Sequence, residues 1–278
     1  MAEHSLQVPA EALRSAVRQA ARLAILPRFR KLALDDISEK SGPNDLVTIA
    51  DTEAETLICA SLAHDWPQAL VLGEEGVAKN PALRAAMATA DPAVIVDPVD
   101  GTWNFAAGLA AFGVLLAVAR AGRPVWGMLY DPICDDWVEA AEGQPTRMVT
   151  PSSARPLRTA PVKPAADLCG YVPLGLFPAS QKRALALAGL DFGRVTSLRC
   201  SAHEYRLLAQ GHVDFVLSGP SPHPWDHAAG VLAVQGAGGV ARFLDGAPYD
   251  TVRISGVLLS ASCEAVWAAA ARSFAALA

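Results

Sequence analysis

Two carboxylates with metal-ligand chemistry, Asp97 and Asp100, stand three positions apart on a segment that the sequence predicts to be a strand end and a tight turn. An apolar run precedes Asp97, and Pro98, which has no N–H to donate, predicts that the strand ladder ends there. Gly101 permits the turn and lets backbone N–H groups approach a ligand. Two carboxylates beside a glycine and the Thr102 hydroxyl are typical of a magnesium–phosphate site, because Mg²⁺ prefers hard oxygen ligands shared with substrate phosphate.

An Asp-Pro or Asp-Gly pair alone is more typical of an ordinary turn. A longer pattern is therefore needed to indicate a functional site. From Asp97 to Phe105 the chain reads Asp-Pro-Val-Asp-Gly-Thr-Trp-Asn-Phe. This resembles the Asp-Pro-Ile-Asp-Gly-Thr-x-Asn-Phe signature of the inositol monophosphatase family, with Val99 as a conservative change. The resemblance implies a magnesium-dependent, lithium-sensitive phosphatase of small phosphorylated metabolites.

A second element precedes the signature. Thr48 and Asp51 fit a capping box for a helix over residues 52–64, with Thr48 as N-cap and Asp51 at N3. The spacing is also similar to the family pattern of a Lys, a Pro and then Asp-Leu-Val-Thr-x-x-Asp, here Lys40, Pro43, Asp45, Leu46, Val47, Thr48 and Asp51. The resemblance implies that Asp51 pairs with Thr102 and helps to orient the attacking water.

A third element, Gly73-Glu74-Glu75, follows a short apolar strand at residues 70–72. Adjacent glutamates usually belong to a solvated loop, but this order resembles the family, which implies a metal role for Glu74. Lys40 and Glu75 are candidates for contact with the substrate or with the metal ligands.

The last element is Pro224-Trp225-Asp226, followed by Gly238-Gly239, and it resembles the family's closing Trp-Asp motif. An acid such as Asp226 at the start of a helix is favoured by the helix dipole, and the small residues that follow predict close helix packing. The resemblance implies that Asp226 binds metal. His223 also matches a family histidine, with a loop-packing role as good an interpretation as a direct one.

The resemblance implies a complete mechanism. Two to three Mg²⁺ ions would bind to Glu74, Asp97, the Val99 carbonyl, Asp100 and Asp226. A metal-activated water would attack phosphorus directly, positioned by Thr102 and Asp51, with Glu74 as a base. The phosphate would lie against the N–H groups of Gly101 and Thr102, close to Asp100 and Asp226.

Substrate identity stays open at this point. Residues 217–224 carry no carboxylate to bind sugar hydroxyls, and His203 or Glu204 would either replace it or form a solvated helix face. The predicted substrate is an inositol monophosphate-like ester, with histidinol phosphate, a nucleotide 3′-phosphate, a sugar bisphosphate or NADP as alternatives. A protein-binding regulator with a dispensable site is the alternative of another class.

Composition narrows the class of protein. Of 278 residues 52% are hydrophobic and 18% charged, which is typical of a globular chain. The net charge of −5 argues against a nucleic-acid-binding protein. The start lacks a secretory pattern, and no apolar run reaches the ~18 residues of a membrane span. With five scattered cysteines, predicted to be buried free thiols, we expect a cytoplasmic protein, and the resemblance adds a homodimer.

The order of elements predicts the fold class α/β (α+β), and the resemblance implies a layered α/β/α/β/α sandwich with the site between two lobes. Residues 1–150 would form the first lobe, residues 151–166 a connecting segment and residues 167–278 the second lobe. The second lobe alternates short strands and helices, which indicates an α/β layer. Periodicity also predicts an N-terminal helix within residues 9–30 and a terminal helix over residues 265–278.

Overall fold

Alternating side chains on the central strands place apolar residues on both faces of one large sheet, and helices cover both faces. The computed structural model describes residues 7–277. Most of the N-terminal stretch that bears on a secretory signal therefore lies outside the described residues, as does Ala278 of the predicted terminal helix. No helix within the described chain is long and apolar enough to span a membrane.

The strands form a hairpin and two sheets. The hairpin contains β1 (Ile37–Gly42) and β2 (Asp45–Thr48). The seven-stranded sheet contains, in spatial order, β3 (Leu70–Gly73), β4 (Ala93–Asp100), β5 (Gly113–Arg120), β6 (Arg123–Asp131), β7 (Asp136–Ala141), β8 (Arg147–Thr150) and β9 (Ser153–Pro156). The five-stranded sheet, in the order β11-β10-β12-β14-β13, contains β10 (Cys169–Tyr171), β11 (Arg194–Thr196), β12 (Phe215–Leu217), β13 (Val240–Phe243) and β14 (Leu258–Ala261).

The helices separate and flank these sheets. They are α1 (Ala10–Ala20, continued by a π-helical turn Ala21–Ile25), α2 (Ile49–Asp65), α3 (Glu74–Lys79), α4 (Ala82–Met87), α5 (Thr102–Ala106), α6 (Ala179–Ala188), α7 (Ser201–Ala209), α8 (Pro224–Gly236) and α9 (Glu264–Ser273). Helix α2 begins as predicted, because Thr48 caps it and the Asp51 side chain completes the capping box.

Five layers result, which confirms the predicted fold class. Helices α1 and α2 pack on one face of the seven-stranded sheet, and α7 and α8 pack on the other. The five-stranded sheet lies beyond α7 and α8, and its outer face packs against α6 and α9. Strand β4 shows the alternation: Val94 and Val96 face α1 and α2, whereas Ile95 faces the layer of α8.

The small residues of α8 have the packing role that the sequence predicts. A Cβ added to Gly230 would lie 2.2 Å from the Tyr205 ring on α7. The Cα of Ala229 lies 2.9 Å from the position that a Cβ on Gly127 of β6 would take. Helix α8 therefore fits closely between α7 and the seven-stranded sheet.

Several predicted boundaries differ from the structure. The prediction that Pro98 ends the ladder is wrong: β4 continues to Asp100, with a register shift between Asp97 and Asp100 that accommodates the missing N–H. The seven-stranded sheet continues through β9 to Pro156, into the segment predicted as a connection. The cysteines are free, as predicted, but only Cys200 is buried, and Cys134 is exposed.

Candidate active site

The end of strand β4 brings Asp97 and Asp100 to the same place. In a regular strand, residues three apart point to opposite faces. Here Asp97 pairs with Leu115 and Asp100 with Gly113, so β4 has one residue more than β5 over this stretch. This bulge turns both carboxylates to one side. Both residues are buried.

Helix α8 supplies the third carboxylate. Asp226 lies in the first turn of the helix, after Pro224 at its N-terminal position. Ligand oxygens of Asp97, Asp100 and Asp226 all lie within 4.8 Å of one another. Hard carboxylate oxygens at this spacing fit a divalent cation such as Mg²⁺.

The electrostatics of the cluster also fit a cation. Burial, followed by the charges of Glu74, Asp100 and Asp226, raises the pKa of Asp97 well above its usual range. Burial, followed by the charges of Glu74 and Asp100, raises the pKa of Asp226 as well. Burial raises the pKa of Asp100 too, although the Ala202 N–H, 2.5 Å from its Oδ2, opposes the shift. Like charges that are held together away from water are stabilised when a cation joins them.

Glu74 lies beside this cluster but makes a direct contact elsewhere. Its Oε1 is 2.6 Å from the Lys40 Nζ, which also lies 2.5 Å from Glu75 Oε1. Burial, opposed by Lys40, raises the pKa of Glu74 to about 7. Its charge affects Asp97 and Asp226, whereas the tight cluster contains only the three aspartates among the described residues.

A hydroxyl and a carboxylate adjoin the cluster. Thr102 Oγ1 lies 3.0 Å from Asp51 Oδ1 and 2.9 Å from the Val99 carbonyl oxygen. The other Asp51 oxygen accepts from the Thr48 N–H at 2.9 Å and from the Thr48 hydroxyl at 2.5 Å. Burial raises the pKa of Asp51 to about 6, and these donors oppose the shift. Asp51 is therefore both the predicted capping residue and a partner of Thr102.

Gly101 fixes the turn before α5. Its φ is +82°, and a Cβ there would lie 2.9 Å from the Ala111 carbonyl oxygen. Glycine is therefore required by backbone conformation and by space. The first N–H groups of a helix have no helical partner, so those around Thr102 are suited to phosphate oxygens.

The remaining predicted substrate-binding candidates, His203, Glu204 and His223, differ in whether they line the large cavity. The ring of His203 contacts the Phe112 carbonyl through Nε2 at 3.0 Å and lines a separate small cavity. Glu204 is buried, and its Oε1 accepts from the Leu198 N–H at 2.7 Å and from the Ser197 hydroxyl at 3.1 Å. Glu204 thus binds the loop before α7, although it also lines the large cavity. His223 lines that cavity as well.

One cavity of about 1260 Å³ is lined by Glu74, the three aspartates and Thr102. Asp97, Asp100 and Asp226 line it, and Val172, Leu174 and Leu176, which follow β10, form an apolar wall. A cavity of this size accommodates far more than a phosphate group.

Sequence reasoning missed three contributors. Glu55 accepts from the N–H groups of Glu75 and Gly76, at 2.8 and 2.6 Å, and so fixes the start of α3. Its position one helical turn after Asp51 is a signal that periodicity offers. Arg84 and Arg199, which line the cavity, carry no local pattern that distinguishes them from surface arginines.

A layered fold with a carboxylate cluster of this kind defines a class of metal-dependent phosphatases, and the sequence comparison identifies the branch. A sequence model described as the inositol monophosphatase family matches residues 6–276. The chain belongs to the inositol monophosphatase family.

Individual relatives carry different names. The chain is 32% identical over 225 residues to the Nus factor SuhB of Vibrio cholerae, with 76% of each chain covered. It is 27% identical over 215 residues to a fructose-1,6-bisphosphatase/inositol-1-monophosphatase of Thermotoga maritima, with 77% of each covered. A solved IMPase structure from Thermotoga maritima shares the fold, with a TM-score of 0.78 at 20% identity, over 97% of this chain and 99% of that one.

Proposed function

We propose that this protein is a Mg²⁺-dependent phosphatase that hydrolyses the phosphate monoester of a small, inositol monophosphate-like metabolite. The observation that carries the proposal is the convergence of Asp97, Asp100 and Asp226 within 4.8 Å, in a cavity that Thr102, the partner of Asp51, also lines. Family membership supports the same reaction class.

Two to three Mg²⁺ ions would be held by the aspartate cluster, with Glu74 and the Val99 carbonyl as further ligands. Bound Mg²⁺ lowers the pKa of water and neutralises charge on the phosphate and the leaving oxygen. Lys40 competes with a cation for Glu74, because its Nζ lies 2.6 Å from Glu74 Oε1. Cation binding at Glu74 therefore requires this ion pair to open or to share the carboxylate.

Thr102 and Asp51 would orient the attacking water molecule. When the Thr102 hydroxyl donates a hydrogen bond to Asp51, at 3.0 Å, its lone pairs are left to accept a hydrogen bond from water. Water oriented in this way attacks phosphorus, the P–O ester bond breaks, and the leaving oxygen gains a proton. Glu74 would act as the base that receives the water proton. N–H groups of Gly101 and Thr102 would hold the phosphate oxygens.

The decisive experiment is a hydrolysis assay with and without Mg²⁺ over a panel of phosphorylated metabolites. The panel contains inositol 1-phosphate, histidinol phosphate, a nucleotide 3′-phosphate, a sugar bisphosphate and NADP. We expect Mg²⁺-dependent phosphate release that is lost in Asp97→Asn, with kcat/KM ranking the substrates. A wild-type protein that releases no phosphate from any ester would contradict the proposal.

A regulatory role is the second candidate, because several relatives, including that from Vibrio cholerae, are named as Nus factors. Under this alternative the site is dispensable and the surface binds a protein. If wild type and Asp97→Asn are both inert in the assay while both capture the same partner from lysate, the regulatory role replaces the enzymatic one.

The remaining expectations are proposals of the same kind. We expect a homodimer in the cytoplasm that binds no nucleic acid. Sedimentation of the purified protein tests the dimer, and a twofold lower mass would contradict it.

A further inference from the structure

Arg84, on the short helix α4, is a cation without an acidic partner among the described residues. Its guanidinium lies 5.0 Å from the centre of the Trp225 ring, and its Nη2 lies 3.2 Å from His223 Nδ1. Its Nη1 is buried and has no hydrogen-bond partner in the described part of the chain. Partial burial lowers the pKa of Arg84, which is the direction expected of a cation that lacks an acidic neighbour.

His223 is fixed by the same contacts. A guanidinium only donates hydrogen bonds, so Nδ1 of His223 is the acceptor and the ring proton is on Nε2. The ring stacks on Trp225 with centroids 4.8 Å apart and an interplanar angle of 14°. The Nε2–H group has no partner among residues 7–277 in this arrangement. Arg84 and His223 thus offer donors held in place by one aromatic ring.

These donors belong to the cavity that contains the aspartate cluster. Arg84, His223 and Trp225 all line it, and Trp225 directly precedes Asp226. The charges of Lys40 and Asp45 also act on His223, which places His223 near the Lys40–Glu74 pair. Asp45 is the one nearby acid in that set, and its carboxylate accepts from the Ser41 hydroxyl at 2.5 Å.

Two cations that contact acids show the contrast. Lys40 contacts Glu74 and Glu75, and the buried Arg206 contacts Asp136 at 2.5 Å. A partly buried guanidinium that lines a cavity and carries an unused donor is suited to a planar or tetrahedral oxyanion.

We propose that Arg84 and His223 bind a second anionic group of the substrate, either a phosphate or a carboxylate, apart from the phosphate that is hydrolysed. The inference rests on the proposed phosphatase activity and deepens it: the preferred substrates are small metabolites with two anionic groups. Trp225 holds the guanidinium in place before binding, so little side-chain entropy is lost when the anion binds.

Two matched substrate pairs test the inference. Glycerol 3-phosphate and 3-phosphoglycerate differ only in a carboxylate, and fructose 1-phosphate and fructose 1,6-bisphosphate differ only in a second phosphate. For wild type we expect kcat/KM to be about tenfold to hundredfold higher for the doubly anionic member of at least one pair, mainly through a lower KM. The pair that shows the preference identifies the second group.

Variants assign the preference to the residues. In Arg84→Met the ratio of kcat/KM for the doubly anionic ester to that for the singly anionic ester should fall to about one. The kcat/KM for the singly anionic ester should stay within about threefold of the wild-type value. Arg84→Lys keeps the charge without the planar fork and should retain part of the ratio. His223→Phe preserves a ring over Trp225, removes the donor, and should lower the ratio in the same direction. Arg183→Met, an exposed arginine on α6 outside the cavity, is the matched control.

The outcomes separate the two proposals. If wild type hydrolyses the singly anionic esters with no preference, or if Arg84→Met lowers both members of a pair equally, the second-anion site is wrong and the phosphatase stands. If wild type hydrolyses none of the four esters with Mg²⁺ present, both proposals fail. Thermal unfolding of each variant within a few degrees of wild type establishes that the comparison concerns folded protein.

Discussion

The Glu55 carboxylate lies 2.8 Å from the backbone nitrogen of Glu75, twenty positions away in the sequence. Its second oxygen accepts from the Gly76 N–H at 2.6 Å. The same helix, α2, presents Asp51 to Thr102 one turn earlier. One helix therefore fixes the threonine hydroxyl and also the start of α3.

Removal of this carboxylate should weaken cation binding without touching a proposed ligand. Glu55→Ala leaves one buried and one half-buried N–H group without acceptors, at a cost of about 1.5–3 kcal/mol in the free energy of unfolding. Glu55→Gln keeps one acceptor and should cost about half as much. Denaturant unfolding measures the cost, and the Mg²⁺ concentration for half-maximal activity should rise in Glu55→Ala. An unchanged Mg²⁺ requirement would show that α3 does not need this contact.

Gly73, directly before α3, tests the same contact from the other side. A Cβ at Gly73 would lie 2.0 Å from Cδ of Glu55, so Gly73→Ala must displace the carboxylate, at a cost of about 1–3 kcal/mol. In a Glu55→Ala background the added methyl group should cost much less, which a double-mutant cycle measures. Gly42→Ala, where nothing lies within 4 Å of the new Cβ, is the control. If the costs of Gly73→Ala and Glu55→Ala simply add, the two substitutions do not act through the same contact.

The Thr102–Asp51 pair should affect the chemical step more than binding. Thr102→Val removes the hydroxyl, and we expect kcat to fall by about 10²–10³ with a small change in KM. Thr102→Ser restores the hydroxyl and should recover much of the rate. Asp51→Asn should also lower kcat. Steady-state kinetics at saturating Mg²⁺ provide the measurement, and a valine variant with normal kcat would remove Thr102 from the mechanism.

Neutralising one member of the aspartate cluster should have opposite effects with and without metal. Asp97→Asn removes a buried carboxylate whose pKa is raised by burial and then by neighbouring acids. In EDTA we therefore expect the variant to be more stable than wild type, by about 1–3 kcal/mol in the free energy of unfolding. With Mg²⁺ present, wild type should gain stability by cation binding, and the variant should gain little. Thermal unfolding in both conditions tests this. A variant that is less stable in EDTA would contradict it.

Glu204 gives a pH prediction. Burial raises its pKa from 4.5 to about 7, so the folded protein binds this proton more tightly than the unfolded chain. The stabilising contribution is fully present below about pH 4.5 and is lost as the pH rises through about 7. In Glu204→Gln the fall in unfolding free energy between about pH 5 and 8 should shrink, by at most ~3 kcal/mol. The exposed Glu39→Gln is the control, and equal pH slopes in all three proteins would contradict the prediction.

Local sequence predicted the elements that depend on neighbours in the chain. The capping box at Thr48 formed, and the short strand predicted at residues 70–72 is β3. Asp226 lies at a helix start, as its position before small residues indicated.

Other features depend on distant partners, which local patterns do not report. The bulge that carries β4 past Pro98 exists because β5 pairs on both sides of it. The role of Glu55 requires α3 to pack beside α2. Arg84 becomes distinctive only when Trp225 and His223 lie next to it, more than a hundred residues further along the chain.

Helix α8 packs against β4, β5, β6 and β7, so Asp226 is held by the same sheet that carries Asp97 and Asp100. Leu174 and Leu176 also line the cavity, but they belong to a different part of the chain and are exposed. We therefore expect apolar contacts with the substrate to come from a part of the chain that does not carry the acidic cluster. A designer who replaces the leucine wall can retune which ester enters while the acidic cluster stays as it is.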